Sequence, residues 1–171
     1  MADLHSTSDK RAGRKVAKAL SAILFVAVLI FLDQWTKSIA IRTLMGKEPV
    51  VVIPGVLEFV YVENRGAAFG TFQGMRTVFL FLAPVVSLIL FVLFLRLKED
   101  RKYLPLKGCF LFIIAGALGN FIDRLRLSYV VDFIYFKLIN FPVFNVADIY
   151  VTCSCILLIL LLLFKYKEED F

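Results

Sequence analysis

The 171-residue chain lacks most of the groups that soluble hydrolases use for acid–base chemistry. Its one histidine, His5, lies in a polar N-terminal tail. A single histidine so placed argues against a Ser-His-Asp or Cys-His site, a histidine-rich zinc site and a histidine proton relay. The three cysteines, Cys109, Cys153 and Cys155, lie inside apolar runs. An odd number of cysteines argues against a disulfide framework of the secreted type, so we expect them to act as small apolar side chains.

Charge is also scarce, because only 20% of the residues are charged and 60% are hydrophobic. Soluble domains are roughly 45–50% apolar, and the mean hydropathy here is +0.83. This composition indicates an integral membrane protein and argues strongly against a soluble single-domain enzyme. The formal net charge is +6. In a membrane chain a basic excess sets orientation and headgroup contact, so we expect membrane lipid, and no nucleic acid, as a partner.

Four apolar runs follow one another along the chain, at residues 16–32, 78–95, 109–122 and 149–164. They predict one integral membrane domain, 1–171, with spans at about 16–33, 77–96, 106–122 and 147–165. Because a span needs about 17–25 residues, polar residues at the ends of these short runs should lie at headgroup depth. Residues 33–37, which follow the first run, offer no obvious small-residue cleavage site, so we expect a retained anchor rather than a signal peptide.

The basic residues predict the orientation. The N-terminal tail, the connection 96–107 and the C-terminal tail carry twelve of the twenty basic residues. The positive-inside rule therefore places both termini in the cytoplasm and the segments 33–77 and 123–148 outside.

The first outer segment reads as β-structure. The runs 50–53 and 56–63 are rich in β-branched and aromatic residues and flank Pro54-Gly55, which is typical of two short strands joined by a turn. We therefore predict a mainly α membrane protein with four transmembrane helices and a small β-sheet, at about residues 48–63, on the outer membrane surface. The second outer segment contains an apolar stretch, 129–136, with Asp132 at its centre.

Polar residues in or near hydrocarbon are costly and indicate function by default. All of those in this chain fall at the predicted outer side: Asp33, Asn64, Asn120, Asp123, Arg124, Asp132, Asn145 and Asp148. Asp132 has four apolar neighbours, which should disfavour its charged form. Asp148 follows sixteen residues later, and a turn between them could bring the two carboxyl groups together. Two carboxyl groups that share one proton can activate water and polarise a carbonyl.

Structural explanations stay open for the same residues. Asp148 could stabilise the first turn of the fourth helix, with Asn145 as its N-cap. Asp132 could pair with Arg124 or Arg126.

Further structural explanations apply to the remaining polar and small residues. Asp33 and Lys37 have the i, i+4 spacing of a helical ion pair, and Asp123 beside Arg124 could form hydrogen bonds at the membrane interface. Gly116 and Gly119 favour close helix packing over a phosphate loop.

Five blocks, in this order, resemble the bacterial lipoprotein signal peptidase (signal peptidase II) family of membrane aspartyl proteases: Asp33-Gln34-x-x-Lys37, Asn64-x-Gly66-Ala67-Ala68-Phe69-Gly70, Gly116-Ala117-Leu118-Gly119-Asn120-x-x-Asp123-Arg124, Val130-Val131-Asp132-Phe133 and Phe144-Asn145-x-Ala147-Asp148. One departure is Ala115, where the family commonly has glycine.

The resemblance implies a catalytic pair, Asp132 and Asp148. It implies substrate-binding or dyad-supporting roles for the other motif positions: Asp33, Lys37, Asn64, Gly66, Asn120, Asp123, Arg124 and Asn145. The implied substrate is a prolipoprotein with a diacylglyceryl cysteine, cut just before that cysteine in the bacterial cytoplasmic (inner) membrane. No metal or other cofactor is implied, and we expect a monomer.

Two other functions are compatible with the composition. A non-catalytic membrane adaptor that binds signal helices would explain the hydrophobicity but not two aspartates in apolar settings. A small proton- or ion-coupled transport subunit would need polar residues through the middle of the bilayer, where these spans have almost none.

Overall fold

The computed structural model describes residues 2–66 and 76–170. Within them, four helices are long and apolar enough to cross a membrane, in agreement with the prediction. They are α1 (Ala2–Leu44), α2 (Arg76–Arg96), α3 (Leu104–Arg126) and α4 (Val146–Phe164). Short 3-10 helices lie at Arg101–Tyr103, Lys137–Ile139 and Glu168–Asp170.

Helix α3 is the central helix of the bundle and contacts the other three. In its most apolar stretch 56% of the residues are buried inside the protein, against 11% for α2 and for α4. Most of the apolar surface of α2 and α4 therefore faces away from the bundle. A helix that is apolar all round is typical of a lipid-facing span. The main core lies where α1, α2 and α3 meet, and Leu106, Ile114 and Ala115 of α3 are among its most buried members.

Helix α1 continues eleven residues beyond the predicted end of the first span, to Leu44. The apolar run ends near Asp33, but the i, i+4 spacing of Asp33 and Lys37 is compatible with a helix that continues past it. In the fold, Asp33 and Lys37 are buried and paired inside the bundle, and Ala40 and Leu44 pack against the sheet. Polar residues that face protein rather than lipid do not end a helix.

The sheet is antiparallel, in the order β1-β2-β3, with strands β1 (Val50–Ile53), β2 (Leu57–Asn64) and β3 (Val130–Phe136). The two predicted strands are present, and Gly55 adopts φ +73° in the turn between them. Strand β3 was not predicted, because an apolar stretch of this length shows no alternation. It is nearly all buried in its first half, since it packs on α1.

The segment that follows β3 folds back and pairs with β3 through Phe144. The backbone N–H groups of Phe133 and Ile134 both donate to the Phe144 carbonyl, at 3.0 and 2.9 Å, and the Phe144 N–H donates to Ile134 at 3.0 Å. This pairing places Asn145, the residue before α4, beside the centre of β3.

Candidate active site

The first turn of α4 is a capping box. The Asp148 N–H donates to Asn145 Oδ1 at 3.0 Å, and the Asn145 N–H donates to Asp148 Oδ2 at 3.1 Å. The structural explanation of these two residues is therefore confirmed. The capping box uses one carboxyl oxygen of Asp148, Oδ2. The other, Oδ1, accepts a hydrogen bond from Asn120 Nδ2 at 2.8 Å.

Asp132 lies in β3 with 1% of its surface exposed. Its Oδ2 accepts from Asn64 Nδ2 at 2.8 Å and its Oδ1 from Asn145 Nδ2 at 2.6 Å. Both of these donors are asparagines, whereas the sequence suggested Arg124 or Arg126 as the partner of Asp132. Burial raises the pKa of Asp132 to about 7 and the charge of Asp148 adds to this, while the two asparagine hydrogen bonds act in the opposite direction.

Asn145 connects the two carboxyl groups. Its amide donates to Asp132 and also, at 3.2 Å, to Asn120 Oδ1, while its capping box holds Asp148. The structure thus brings the two predicted aspartates into one hydrogen-bonded network. The backbone N–H of Gly66 donates to the side-chain oxygen of Asn64, and that of Asp148 donates to the side-chain oxygen of Asn145. Both side-chain amides therefore direct their NH2 groups to Asp132.

Lys37 is the centre of a buried ion cluster beside this network. Its Nζ lies 2.9 Å from Asp33 Oδ2 and 2.9 Å from Asp123 Oδ2, and it donates to Asn120 Oδ1 at 2.8 Å. The predicted i, i+4 pair of Asp33 and Lys37 is present, but as one part of a larger cluster that spans α1 and α3. All three ionised groups are at most 3% exposed.

The two carboxylates of the cluster hold the backbone next to the two predicted catalytic residues. Asp33 Oδ1 accepts the N–H of Ala147, the residue before Asp148, at 3.0 Å. Asp123 Oδ2 accepts the N–H of Val131, the residue before Asp132, at 3.2 Å. The buried cluster therefore sets the positions of α4 and β3 relative to each other.

Gln34 is a member of this cluster that the sequence analysis did not propose as a site residue. Its Nε2 donates to Asp123 Oδ1 at 2.8 Å and lies 3.2 Å from Asp33 Oδ2 and from the Gly119 carbonyl oxygen. Its place in the first motif block was the available signal.

Two glycines of α3 permit the close approach of its neighbours. A Cβ at Gly119 would lie 2.6 Å from Asp33 Oδ2. A Cβ at Gly116 would meet the Ala147 carbonyl oxygen and lie 2.7 Å from Val151 Cγ2. The packing explanation of these glycines is confirmed, and Gly116 shows that α4 could not approach α3 so closely with any larger residue.

Arg124 lies at the edge of the network. Its guanidinium donates to the Gly66 carbonyl at 3.2 Å and to the Asn120 carbonyl at 3.3 Å, and it lies 5.0 Å from the centroid of the Phe79 ring. The last part of the second motif block, Ala67-Ala68-Phe69-Gly70, lies outside the described residues.

Asp132 opens onto a cavity of about 280 Å³, whose lining also includes Asn64 and Gly66. The rest of the lining was not predicted and consists of Val62, Glu63, Arg65, Pro142 and Val143. In residues 2–66 and 76–170, no group of three or more His, Cys, Asp or Glu side chains could hold a metal ion.

The bundle and this network define a multi-pass membrane protein in which hydrogen bonds connect two aspartates, one of which, Asp132, lines a cavity. The family model for signal peptidase (SPase) II matches residues 25–164. The chain is 41% identical over 157 residues to the lipoprotein signal peptidase of Streptococcus thermophilus, covering 92% of this chain and 97% of that protein. It is 44% identical over 145 residues to that of Caldanaerobacter subterraneus, covering 84% and 97%.

A solved structure described as a bacterial membrane enzyme, determined by the in meso method at 2.3 Å, has a TM-score of 0.75 at 35% identity. The match covers 88% of this chain and 94% of that one. The chain belongs to the signal peptidase II family. It is a membrane protease that removes the signal peptide from prolipoproteins, and this favours the protease over the adaptor and the transport subunit.

Proposed function

We propose that the chain is an aspartyl endopeptidase in which Asp132 and Asp148 cleave a diacylglyceryl-modified prolipoprotein just before its lipidated cysteine. The observation that carries the proposal is the position of Asn145. Its side chain binds Asp132, which lines the cavity, while its backbone N–H binds Asp148, so one residue holds both carboxyl groups.

In the proposed mechanism the two carboxyl groups share one proton. The ionised group takes a proton from a water molecule, whose oxygen attacks the carbonyl carbon of the scissile peptide. The protonated group donates to the carbonyl oxygen as it becomes a hydroxyl. Collapse of this tetrahedral species breaks the C–N bond, and a proton passes to the amine of the cysteine. The products are the signal peptide with a free carboxyl group and the lipoprotein with a free amine.

The electrostatics support a shared proton. Four carboxyl groups lie in the connected network and two cations accompany them: Asp33, Asp123, Asp132 and Asp148 with Lys37 and Arg124. Lys37 already lies against Asp33 and Asp123. A pKa of about 7 for Asp132 is the value expected of a carboxyl group that holds a proton near neutral pH.

We assign supporting roles to the remaining site residues. Asn64 and Asn145 orient Asp132, and Asn120 orients Asp148. Lys37 with its two carboxylates positions the backbone on either side. Arg124 and Gly66, which bind each other at the edge of the cavity, lie where the substrate backbone would enter.

We place this single membrane domain in the bacterial inner membrane as a monomer, with both termini in the cytoplasm and the aspartates near the outer face. The distribution of basic residues supports this orientation. All four residues of β1 are exposed and apolar, which fits a sheet that rests on the membrane surface and clamps the extended part of the substrate. Shortening 50–62 should then slow processing with all four helices intact, and unchanged turnover would remove the clamp.

The test is a gel-shift cleavage assay with the purified full chain in detergent and a diacylglyceryl-modified prolipoprotein. We expect Asp132→Asn and Asp148→Asn each to lower the rate at least about 100-fold, the usual contribution of an acid–base group. Asp100→Asn, at the far end of the bundle, is the matched control. Circular dichroism and Trp35 fluorescence verify the fold. Cleavage that survives in either folded variant removes that aspartate from the mechanism.

A further inference from the structure

A second cavity, of about 370 Å³, lies at the end of the bundle opposite the aspartates, between the end of α2 and the start of α3. Its wall is apolar and includes Leu93, Leu97, Leu106 and Phe110. Its volume falls in the range of about 300–1,000 Å³ that is typical of small-molecule sites. We refer to it as the basic cavity, because two cations lie in its lining.

Those cations are Arg96 and Lys98, both exposed. The lining also contains Asp170, but the Asp170 carboxylate pairs with Lys102 and accepts the N–H of Lys167 at 3.0 Å. Lys98 donates to the Asp170 backbone carbonyl at 3.2 Å and lies 6.0 Å from the centroid of the Tyr103 ring, and the Asp170 carboxylate pairs with Lys102 rather than with Lys98. Among the residues whose side chains the structure describes (13–66, 77–167, 169 and 170), no carboxylate forms an ion pair with Arg96.

Arg96 is also not needed to complete its own helix. The last carbonyl groups of a helix need donors, and at α2 the Leu97 N–H donates to the Leu93 carbonyl at 3.0 Å while Lys18 reaches the Leu95 carbonyl. Its Nζ lies 3.4 Å from the Leu95 carbonyl oxygen and 3.3 Å from that of Leu97. The guanidinium of Arg96 therefore stays available at the mouth of an apolar cavity.

We propose that the basic cavity binds an anionic phospholipid, with an acyl chain against its apolar wall and the phosphate at Arg96 and Lys98. Charge complementarity selects this occupant, because clustered cations at the end of a membrane helix attract anionic headgroups. The same side of the bundle carries twelve of the twenty basic residues but only seven of the fourteen acidic ones. The proposed orientation makes this the cytoplasmic leaflet, although binding itself does not depend on that orientation.

The test uses native mass spectrometry of the purified full chain in a nonionic detergent. Phosphatidylglycerol and phosphatidylcholine with identical acyl chains are titrated separately. We expect one phosphatidylglycerol molecule to bind first and more tightly than phosphatidylcholine. Arg96→Gln and Lys98→Gln should each weaken it about fivefold, the factor expected for one basic residue at a membrane surface. Arg101→Gln, in the same connection but outside the lining, is the matched control and should bind as wild type does.

Three results would overturn the proposal: equal binding of the two lipids, wild-type binding by the Arg96→Gln, Lys98→Gln double variant, or an equal loss in Arg101→Gln. The last would show general attraction to a basic surface. Because the measurement is lipid binding, it is independent of whether Asp132 and Asp148 are catalytic. Cleavage by the double variant should stay at the wild-type rate.

Discussion

The two ends of the helical bundle use their lysines differently. At one end Lys37 is 2% exposed and lies between two carboxylates that are themselves buried. At the other end Lys18 pairs with Glu99 at 2.6 Å, but the Glu99 side chain is 73% exposed. Removing charges from water is costly, so a buried cluster of this kind persists only with close partners. The comparison indicates that the first end is built for fixed geometry and the second for contact with solvent and headgroups.

Replacing Lys37 should have the largest effect on stability. Lys37→Met leaves Asp33 and Asp123 buried without their cation, and breaking a buried pair costs about 3–5 kcal/mol. Lys167→Met is the matched control, because the side chains of Lys167 and Glu169 are 80% and 78% exposed and an exposed pair contributes about 0–1 kcal/mol. Thermal unfolding in detergent measures both. Equal destabilisation by the two substitutions would contradict the contrast between the two ends.

A glycine-to-alanine pair tests the same contrast within α3. Gly116→Ala forces α4 away from α3 and should cost about 1–3 kcal/mol, together with much of the cleavage rate, because Asp148 moves with α4. Gly108, at the other end of α3, has no atom within 4 Å of an added Cβ. Gly108→Ala should therefore stabilise the helix by about 0.5–1 kcal/mol with unchanged cleavage. Thermal unfolding and cleavage rates of the two variants measure whether the close approach of α3 and α4 is needed for stability and for cleavage.

The pH dependence of cleavage should report Asp132. Its pKa is raised from 3.8 to about 7, so the shared proton is present below pH 7 and is lost above it. The rate should fall roughly tenfold between pH 6 and pH 8. A profile that stays flat through pH 8 would show that the proton is not required.

Folding stability should follow the same group. The folded state binds this proton in the window between pH 3.8 and about 7, where the unfolded chain does not. Stability from Asp132 is therefore present at low pH and lost as the pH rises through 7. As the pH rises from 5 to 8, the Tm of the wild type should therefore fall relative to the Tm of Asp132→Asn. A pH-independent difference would contradict the raised pKa.

The smallest effect is expected at the exposed end. Tyr166 donates from its hydroxyl to the Lys102 carbonyl at 2.7 Å and its ring stacks on Tyr103 at 5.7 Å. Tyr166→Phe keeps the stacking and removes the hydrogen bond, so it should cost about 1 kcal/mol with wild-type cleavage. A cleavage defect in a folded variant would show that the two ends are coupled.

Much of the fold could be predicted because its strongest signals are local. The four apolar runs predicted four helices, and residues 50–53 and 56–63 predicted two strands. The misses have a common cause. How far α1 extends and whether β3 forms depend on which residues the rest of the chain covers. The apolar run therefore did not show how far the helix continues beyond Asp33, and the segment around Asp132 resembled an undefined apolar stretch.

The sequence by itself determined that this is a membrane protein with carboxyl groups as its candidate chemistry, because composition and single residues suffice for both conclusions. Only the tertiary structure decided how those groups are connected. Asn145 bridges Asp132 and Asp148, and Lys37 positions the backbone beside them through Asp33 and Asp123. Hydrogen bonds between residues far apart in sequence depend on the packing of β3 and of α4 against α3, and the spacing of residues along the chain does not contain that packing.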